Sequence, residues 1–228
     1  MITPKISTKG SRFHVPNGNG LKVLAELSAI IVGANPKLSK SWYKEEWNED
    51  SESTSPDCFS LNGINPSENS ALPQNDICVS CPQNAWGSKT TPTGVKVKAC
   101  ADQKRLAVVL AEKSDGDVYL LQVAPASLKN LNAYQKELEM RGIVPEITKT
   151  KVSFVSNAPY PKLRFSFGGF NNDLQQANVD KLLGSNDVKL ITGELTVRKG
   201  QQLPASSYGF TDEDGFTLTQ TELGGSNE

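Results

Sequence analysis

The sequence contains one histidine, His14, in 228 residues, and this scarcity restricts the chemistry open to the protein. Catalytic triads, imidazole acid–base sites and metal centres built on several histidines all need more than one. The chain also has no glycine-rich phosphate-binding motif and no pair of carboxylates suited to hydrolysis. We therefore expect a protein that is not an enzyme.

Long apolar runs are also missing from the chain. No stretch approaches the roughly 20 apolar residues that span a bilayer. The first ten residues, MITPKISTKG, contain no apolar signal region. We expect neither a membrane protein nor a secreted one.

Basic residues are absent from the end of the chain, and this absence divides the molecule by charge. Residues 201–228 contain five acidic side chains and no Lys or Arg, whereas residues 1–200 carry 24 basic and 20 acidic side chains. A body of charge +4 suits a polyanion, and a tail of charge −5 competes for that surface or recruits a partner. A solvated tail without a role is the simpler alternative. The tail residues assigned to partner binding are Asp212, Glu213, Asp214 and Phe216.

The apolar pattern predicts an α+β fold with a mainly antiparallel sheet, such as a small barrel that carries one long helix. The helix spans 127–141, with Ser127 as N-cap and Gly142 as stop, and a short helix spans 173–183. Residues 21–33 fit either a helix start or a buried strand. Further strands are predicted at 12–15, 106–111, 118–123, 147–155, 162–167 and 188–197, with a turn at 113–117.

All four cysteines lie in one segment, in the order C-x19-C-x2-C-x18-C: Cys58, Cys78, Cys81 and Cys100. A C-x2-C pair presents two thiolates to one metal, and a thiolate from each flank completes a tetrahedral site. Structural zinc contributes about 10–16 kcal/mol of folding free energy, which a segment poor in apolar residues needs. An iron–sulfur cluster, disulfides and free thiols are the alternatives, and His14 is a further candidate ligand.

Aromatic and basic side chains are interleaved around the cysteines. Flat side chains stack on bases and spaced cations neutralise phosphates, so this composition is typical of a surface that binds single-stranded nucleic acid. Packing of the aromatics around the metal segment is the alternative. The candidate nucleic-acid residues are Trp42, Tyr43, Trp47, Trp86, Lys40, Lys44, Lys89, Lys96, Lys98, Lys104 and Arg105.

Three motifs carry a resemblance to a known family. The runs P-D-C-F-S-x-N-G-x-x-P at 56–66, C-x-x-C-P-x-N-x-W-G-S at 78–88 and K-A-C at 98–100 resemble a family of small proteins from tailed bacteriophages, often encoded among replication genes. More loosely, the layout is similar to the single-stranded-DNA-binding proteins of T-even phages. Those are OB-folds with a zinc subdomain and an acidic tail. This chain departs from them in having four Cys rather than three Cys and one His, and in lacking a Lys- and Arg-rich arm.

The resemblance implies a function and a domain plan. An OB-like body at 1–200, with a zinc-binding insertion at 58–100, would bind single-stranded DNA in phage replication or recombination. The tail at 201–228 would recruit replication or recombination proteins, in the cytoplasm of the infected bacterium. A zinc-stabilised protein-interaction module, acting in transcription, recombination or phage assembly, is the alternative, and an iron–sulfur protein of nucleic-acid metabolism is a third.

Overall fold

A computed structural model of the protein describes residues 4–18, 20–45, 55–113 and 117–196. Its strands are β1 (Lys5–Ile6), β2 (Phe13–Asn17), β3 (Gly20–Leu24), β4 (Leu27–Ala34), β5 (Ser39–Trp42), β6 (Cys58–Ser60), β7 (Lys89–Thr90), β8 (Lys96–Val97), β9 (Ala101–Leu110), β10 (Tyr119–Val123), β11 (Thr148–Phe154) and β12 (Leu163–Phe170). Its α-helices are α1 (Pro125–Met140), α2 (Asp173–Leu182) and α3 (Asn186–Thr192). None of the helices in these ranges is long and apolar enough to cross a membrane.

The main sheet follows the strand order β1-β10-β9-β4-β11-β12. Every neighbouring pair in this path is antiparallel except β1 and β10. The ten-residue β9 pairs twice along one edge, with β4 at its second half and with β5 at its first half. β5 in turn pairs with β6, and the short hairpins β2–β3 and β7–β8 form separate two-stranded sheets.

One face of the sheet packs against α1. The helix buries Leu131, Tyr134 and Leu138, which recur at the spacing of one helical face, among alternate apolar residues of the strands. The Tyr134 hydroxyl hydrogen-bonds Thr150 Oγ1 at 2.8 Å, so the polar end of this buried ring has a partner. This face holds the larger of the two apolar clusters.

The opposite face is divided between a covered and an uncovered part. Over the middle of the sheet, Val179 of α2 and Val188 and Ile191 of α3 pack on a second cluster that includes Ile30 and Val109. Where β11 and β12 form this face, Lys151, Arg164 and Ser166 are exposed instead. The part of this face that β11 and β12 form is therefore a bare sheet surface.

The predicted class, α+β with a mainly antiparallel sheet and one long helix, is confirmed, but the OB-like barrel is not. In the described ranges the strands form an open path from β1 to β12 rather than a closed ring. The physical reason lies in the two apolar clusters. A small barrel buries one face of its sheet inside the ring, whereas this sheet buries apolar side chains on both faces.

Most predicted elements occur close to their predicted positions. The strands at 106–111, 118–123, 147–155 and 162–167 correspond to β9, β10, β11 and β12, and the two predicted helices correspond to α1 and α2. The ambiguous run at 21–33 is extended, with its apolar half forming the buried β4. Of the predicted turn at 113–117, residues 114–116 lie outside the described ranges.

Two local predictions are wrong. Ser127 is not the N-cap of α1, which begins at Pro125; its buried hydroxyl accepts a hydrogen bond from the Leu163 backbone N–H at 2.9 Å and ties the helix to β12. Residues 188–196 do not form a strand, because α3 occupies Asn186–Thr192, and the predicted end at Val197 lies outside the described residues. The Ser185 side chain caps the start of α3, and Gly193 adopts the left-handed conformation at its end, so helix-terminus signals override the β-branched composition.

Candidate functional site

The four cysteines lie around one small cavity beside β5. Cys58 begins β6, Cys78 and Cys81 flank a single 3-10 turn at 78–80, and Cys100 immediately precedes β9. All four line a cavity of about 10 Å³, which also contacts Lys40 and Trp42 of β5. That volume is close to the smallest that holds one water-sized sphere. The folded chain thus gathers four thiols, from parts of the sequence 42 residues apart at the extremes, around one small cavity.

Backbone hydrogen bonds hold the loops that carry the cysteines. The Cys78 N–H donates to Ile64 O and the Cys100 N–H donates to Gln83 O, each at 2.8 Å. The Asn84 side chain donates to Cys78 O at 2.8 Å and closes the turn from the other side. The positions of the thiols are therefore set by polar contacts of the main chain.

Few other residues of this segment are buried. Between residues 55 and 100, only Ser60, Cys78 and Cys100 are fully buried, and no residue of the segment belongs to either apolar cluster. Apolar burial is the main favourable term in folding, so this segment receives little stabilisation from that source.

Burial favours the neutral form of two of the four thiols. Burial raises the pKa of the Cys100 thiol to about 11, against the opposing effect of the nearby Lys40 ammonium. Burial also raises the pKa of the Cys78 thiol. In the described ranges, no group of three or more His, Cys, Asp or Glu side chains is arranged to hold a metal ion. Neutral thiols make only weak hydrogen bonds and gain little by converging on one point.

The predicted aromatic residues fall into different environments. Trp42 is half-buried and lines the cysteine cavity, which places its ring in a packing role. Tyr43 is 47% exposed and Trp86 is 75% exposed. Trp47 lies outside the described residues.

Two of the predicted phosphate-binding lysines are engaged within the protein. Lys40 and Lys98 both pair with the Asp102 carboxylate, Lys98 at 3.0 Å. Each also donates to Asn84 Oδ1 at 3.3 Å. Burial alone raises the pKa of Asp102, but these two lysines outweigh it and hold the pKa below its ordinary value.

Two more of the predicted cations are turned into the fold. Arg105 donates through Nε to Ile191 O at 2.6 Å, and burial lowers the pKa of its guanidinium to about 10. The Lys104 ammonium donates to Asn35 O, and burial lowers its pKa. Both residues tie β9 to its neighbours and are poorly placed for a phosphate.

The remaining predicted cations lie near the surface of the insertion. Lys44 and Lys96 are exposed, and Lys89 and Lys96 stand on the two strands of the β7–β8 hairpin. The Lys96 side chain passes over Gly87, the residue that follows Trp86. A lysine stem thus lies beside the residue that follows the exposed indole in the chain. The tail residues Asp212, Glu213, Asp214 and Phe216 lie outside the described ranges.

Sequence reasoning did not assign the cations of the β11–β12 hairpin to a site. Residues 148–170 contain Lys149, Lys151, Lys162 and Arg164 and no Asp or Glu. The alternation of lysines along 147–155 was visible in the sequence, where it indicates a strand with one polar face. Only the strand pairing shows that both strands direct their cations to the same side.

Comparison of the chain with protein-family models, with curated proteins and with solved structures finds no match. The resemblance to the tailed-phage family therefore stays a prediction.

Proposed function

We propose that the protein binds single-stranded DNA, without catalysing a reaction, in phage replication or recombination. Trp86 carries this proposal. Its indole is 75% exposed, on a segment that buries almost no apolar side chain. An indole so exposed adds little to folding, whereas a base stacked on it gains about 1–3 kcal/mol. The body of charge +4 supplies the general attraction for a polyanion.

A structural zinc ion is part of the same proposal. Cys58, Cys78, Cys81 and Cys100 would be its ligands, because four thiols and no carboxylate or imidazole line the shared cavity. A divalent cation would provide the stabilisation that apolar burial does not, because it would favour the thiolate form of the cysteines and draw the four sulfurs together. The Lys40 ammonium beside the cavity offsets part of the charge of four thiolates.

The binding proposal is tested by titrating the protein with a mixed-sequence single-stranded oligonucleotide. We expect tryptophan fluorescence to be quenched and affinity to fall with rising salt. Trp86→Ala is expected to lower affinity about tenfold, measured as the anisotropy of a labelled oligonucleotide. Leu174→Ala, which truncates a 70% exposed side chain on α2, is the matched control and should bind as the unmodified protein does.

A protein-interaction module is the second candidate, and one observation favours it. Ile77, Val79 and Val95 are also exposed on the cysteine segment, Val79 at 84%. Aliphatic side chains bury well against another protein but offer bases no flat surface. Absence of quenching and of binding at low salt would contradict the DNA proposal and favour this one.

A further inference from the structure

The outer face of the β11–β12 hairpin carries one cation at each of four successive cross-strand positions. Lys151 pairs with Ser166 and Ser153 pairs with Arg164. The next position joins Val155 and Lys162 through a backbone hydrogen bond of 2.7 Å. At the other end, Lys149 lies opposite the bulge at 168–169. Alternate positions along a strand are about 7 Å apart, so the four charges form a row about 20 Å long.

Small residues opposite the cations leave this row uncovered. The partners of the four cations are Gly168, Ser166, Ser153 and Val155. Gly168 is required at its position, because a Cβ there would lie 2.9 Å from Lys149 O and 3.1 Å from Lys151 Cγ. The bulge therefore lets the two strands approach closely beneath the lysine stems.

No acidic side chain neutralises the row. Residues 148–170 contain no Asp or Glu. In the parts of the chain that the structure describes, none of the four cations forms an ion pair. Lys40 and Lys98 of the cysteine segment, in contrast, share the Asp102 carboxylate. Four cations without an ion-pair partner thus lie together on this hairpin, where α2 and α3 leave the sheet face open.

An exposed aromatic residue lies at one end of the row. Tyr160, 51% exposed, is two residues before Lys162 in the connection between the strands. A row of evenly spaced cations that leads to an exposed ring combines phosphate neutralisation with one stacking position. The distance between successive phosphates of an extended nucleic-acid strand is comparable to the distance between neighbouring cations of the row.

We infer that the backbone of single-stranded DNA binds along Lys149, Lys151, Arg164 and Lys162 on the outer face of the β11–β12 hairpin. This inference rests on the proposed function and gives it a location. The phosphate contacts come from the cations of the sheet face. The cations predicted around the cysteine segment mostly contact other groups of the protein. Trp86 and Tyr160 then serve as separate stacking positions.

The test compares two double variants of equal charge. Lys151→Gln/Arg164→Gln removes two exposed cations of the row, and Lys129→Gln/Lys136→Gln removes two exposed cations of α1, which packs on the opposite face. We expect the first variant to bind a labelled oligonucleotide about tenfold more weakly at low salt. We also expect its slope of log affinity against log salt to fall by about 1.4, or 0.7 for each lost contact. The α1 variant should keep the slope of the unmodified protein.

The outcomes separate this inference from the proposed function. Equal binding by the unmodified protein and both variants would overturn the inference and leave the function standing. No binding by the unmodified protein would overturn both. Tighter binding by Lys151→Gln/Arg164→Gln would show that the row binds the acidic tail of the chain and that DNA binds elsewhere, which also overturns the inference. As a second measurement, ultraviolet cross-linking to an iodouracil-containing oligonucleotide should label a peptide within 148–170.

Discussion

Asp102 determines which lysines of the cysteine segment remain available to a ligand. Its carboxylate accepts hydrogen bonds from both Lys40 and Lys98 and is itself largely buried. If either ammonium moved away to bind a ligand, part of the buried charge would lose its partner. These contacts hold the pKa of Asp102 below its ordinary value, although burial opposes them. A sequence shows the lysines but not the carboxylate that pairs with them, which lies 62 residues from Lys40.

Asp102→Asn is expected to lower the free energy of unfolding by about 1–3 kcal/mol at pH 7, because two partly buried ammonium groups lose their charged acceptor. Asp102 stabilises the folded state above its unfolded pKa of about 3.9, and this contribution is lost as pH falls through the lower folded-state pKa. The difference in free energy of unfolding between the unmodified protein and Asp102→Asn should therefore be smaller near pH 3 than at pH 7. Urea unfolding at the two pH values measures it.

Glu112→Gln is the control for this comparison. Glu112 pairs with Lys22 at 2.7 Å, but both side chains are well exposed, and such pairs contribute less than about 1 kcal/mol. A loss of stability in Glu112→Gln as large as that in Asp102→Asn would contradict the role assigned to the buried pair.

The segment from β6 to Cys100 differs from every other element in how it is held. The sheet and helices depend on two apolar clusters, whereas this segment has three buried residues, two of them cysteines. Its hydrogen bonds are mostly local and its turns are short. We expect the folded structure of this segment to depend on the ion or group that the four thiols bind.

Cys78→Ser is expected to abolish zinc binding and to make residues 58–100 sensitive to proteolysis, while the sheet stays folded. Zinc is measured by elemental analysis of the purified protein, and the cleavage sites by mass spectrometry. Val79→Ser, which introduces the same side chain at the 84% exposed neighbour, should retain the metal. A Cys78→Ser protein that resists protease as the unmodified chain does would contradict a structural metal, and a brown protein would indicate an iron–sulfur cluster.

The spacing of apolar residues predicted the amphipathic elements. It failed where a β-branched composition favours a strand but the capping residues favour a helix. α1, β11 and β12 follow from their spacing of apolar residues. α3 was predicted as a strand, because Val188, Ile191 and Thr192 are β-branched, yet these residues form its buried face. The cysteine cluster is visible in the sequence. The cation row is not, because it depends on the pairing of β11 with β12.

Over the whole chain, charge is segregated more sharply than the net value of −1 indicates. Residues 1–200 carry +4 and residues 201–228 carry −5, and four cations of the described body lie together on one sheet face. A tethered polyanion has a high effective concentration at that face. DNA and tail are then expected to compete for the same cations.

Deletion of residues 201–228 is therefore expected to tighten DNA binding several-fold at low salt, with the difference disappearing at high salt because the tail's charge is screened. Oligonucleotide anisotropy at two salt concentrations measures the effect. A full-length protein with Gln or Asn at the five acidic tail positions separates charge from length and should behave as the deletion does. Unchanged or weaker binding after deletion would remove the competition model.

The pairing of β5 with β9 has a consequence for how this protein can vary between genomes. Of the described residues between Trp42 and Ala101, only the three-residue β6 joins the main sheet, and Ser41 and Ala101 are cross-strand partners. The cysteine segment thus occupies the place of a hairpin turn. A gene that lost it would still encode the strand path from β1 to β12 and the cation row, although without β6, so the cysteines belong to a module that can be removed while that path is kept.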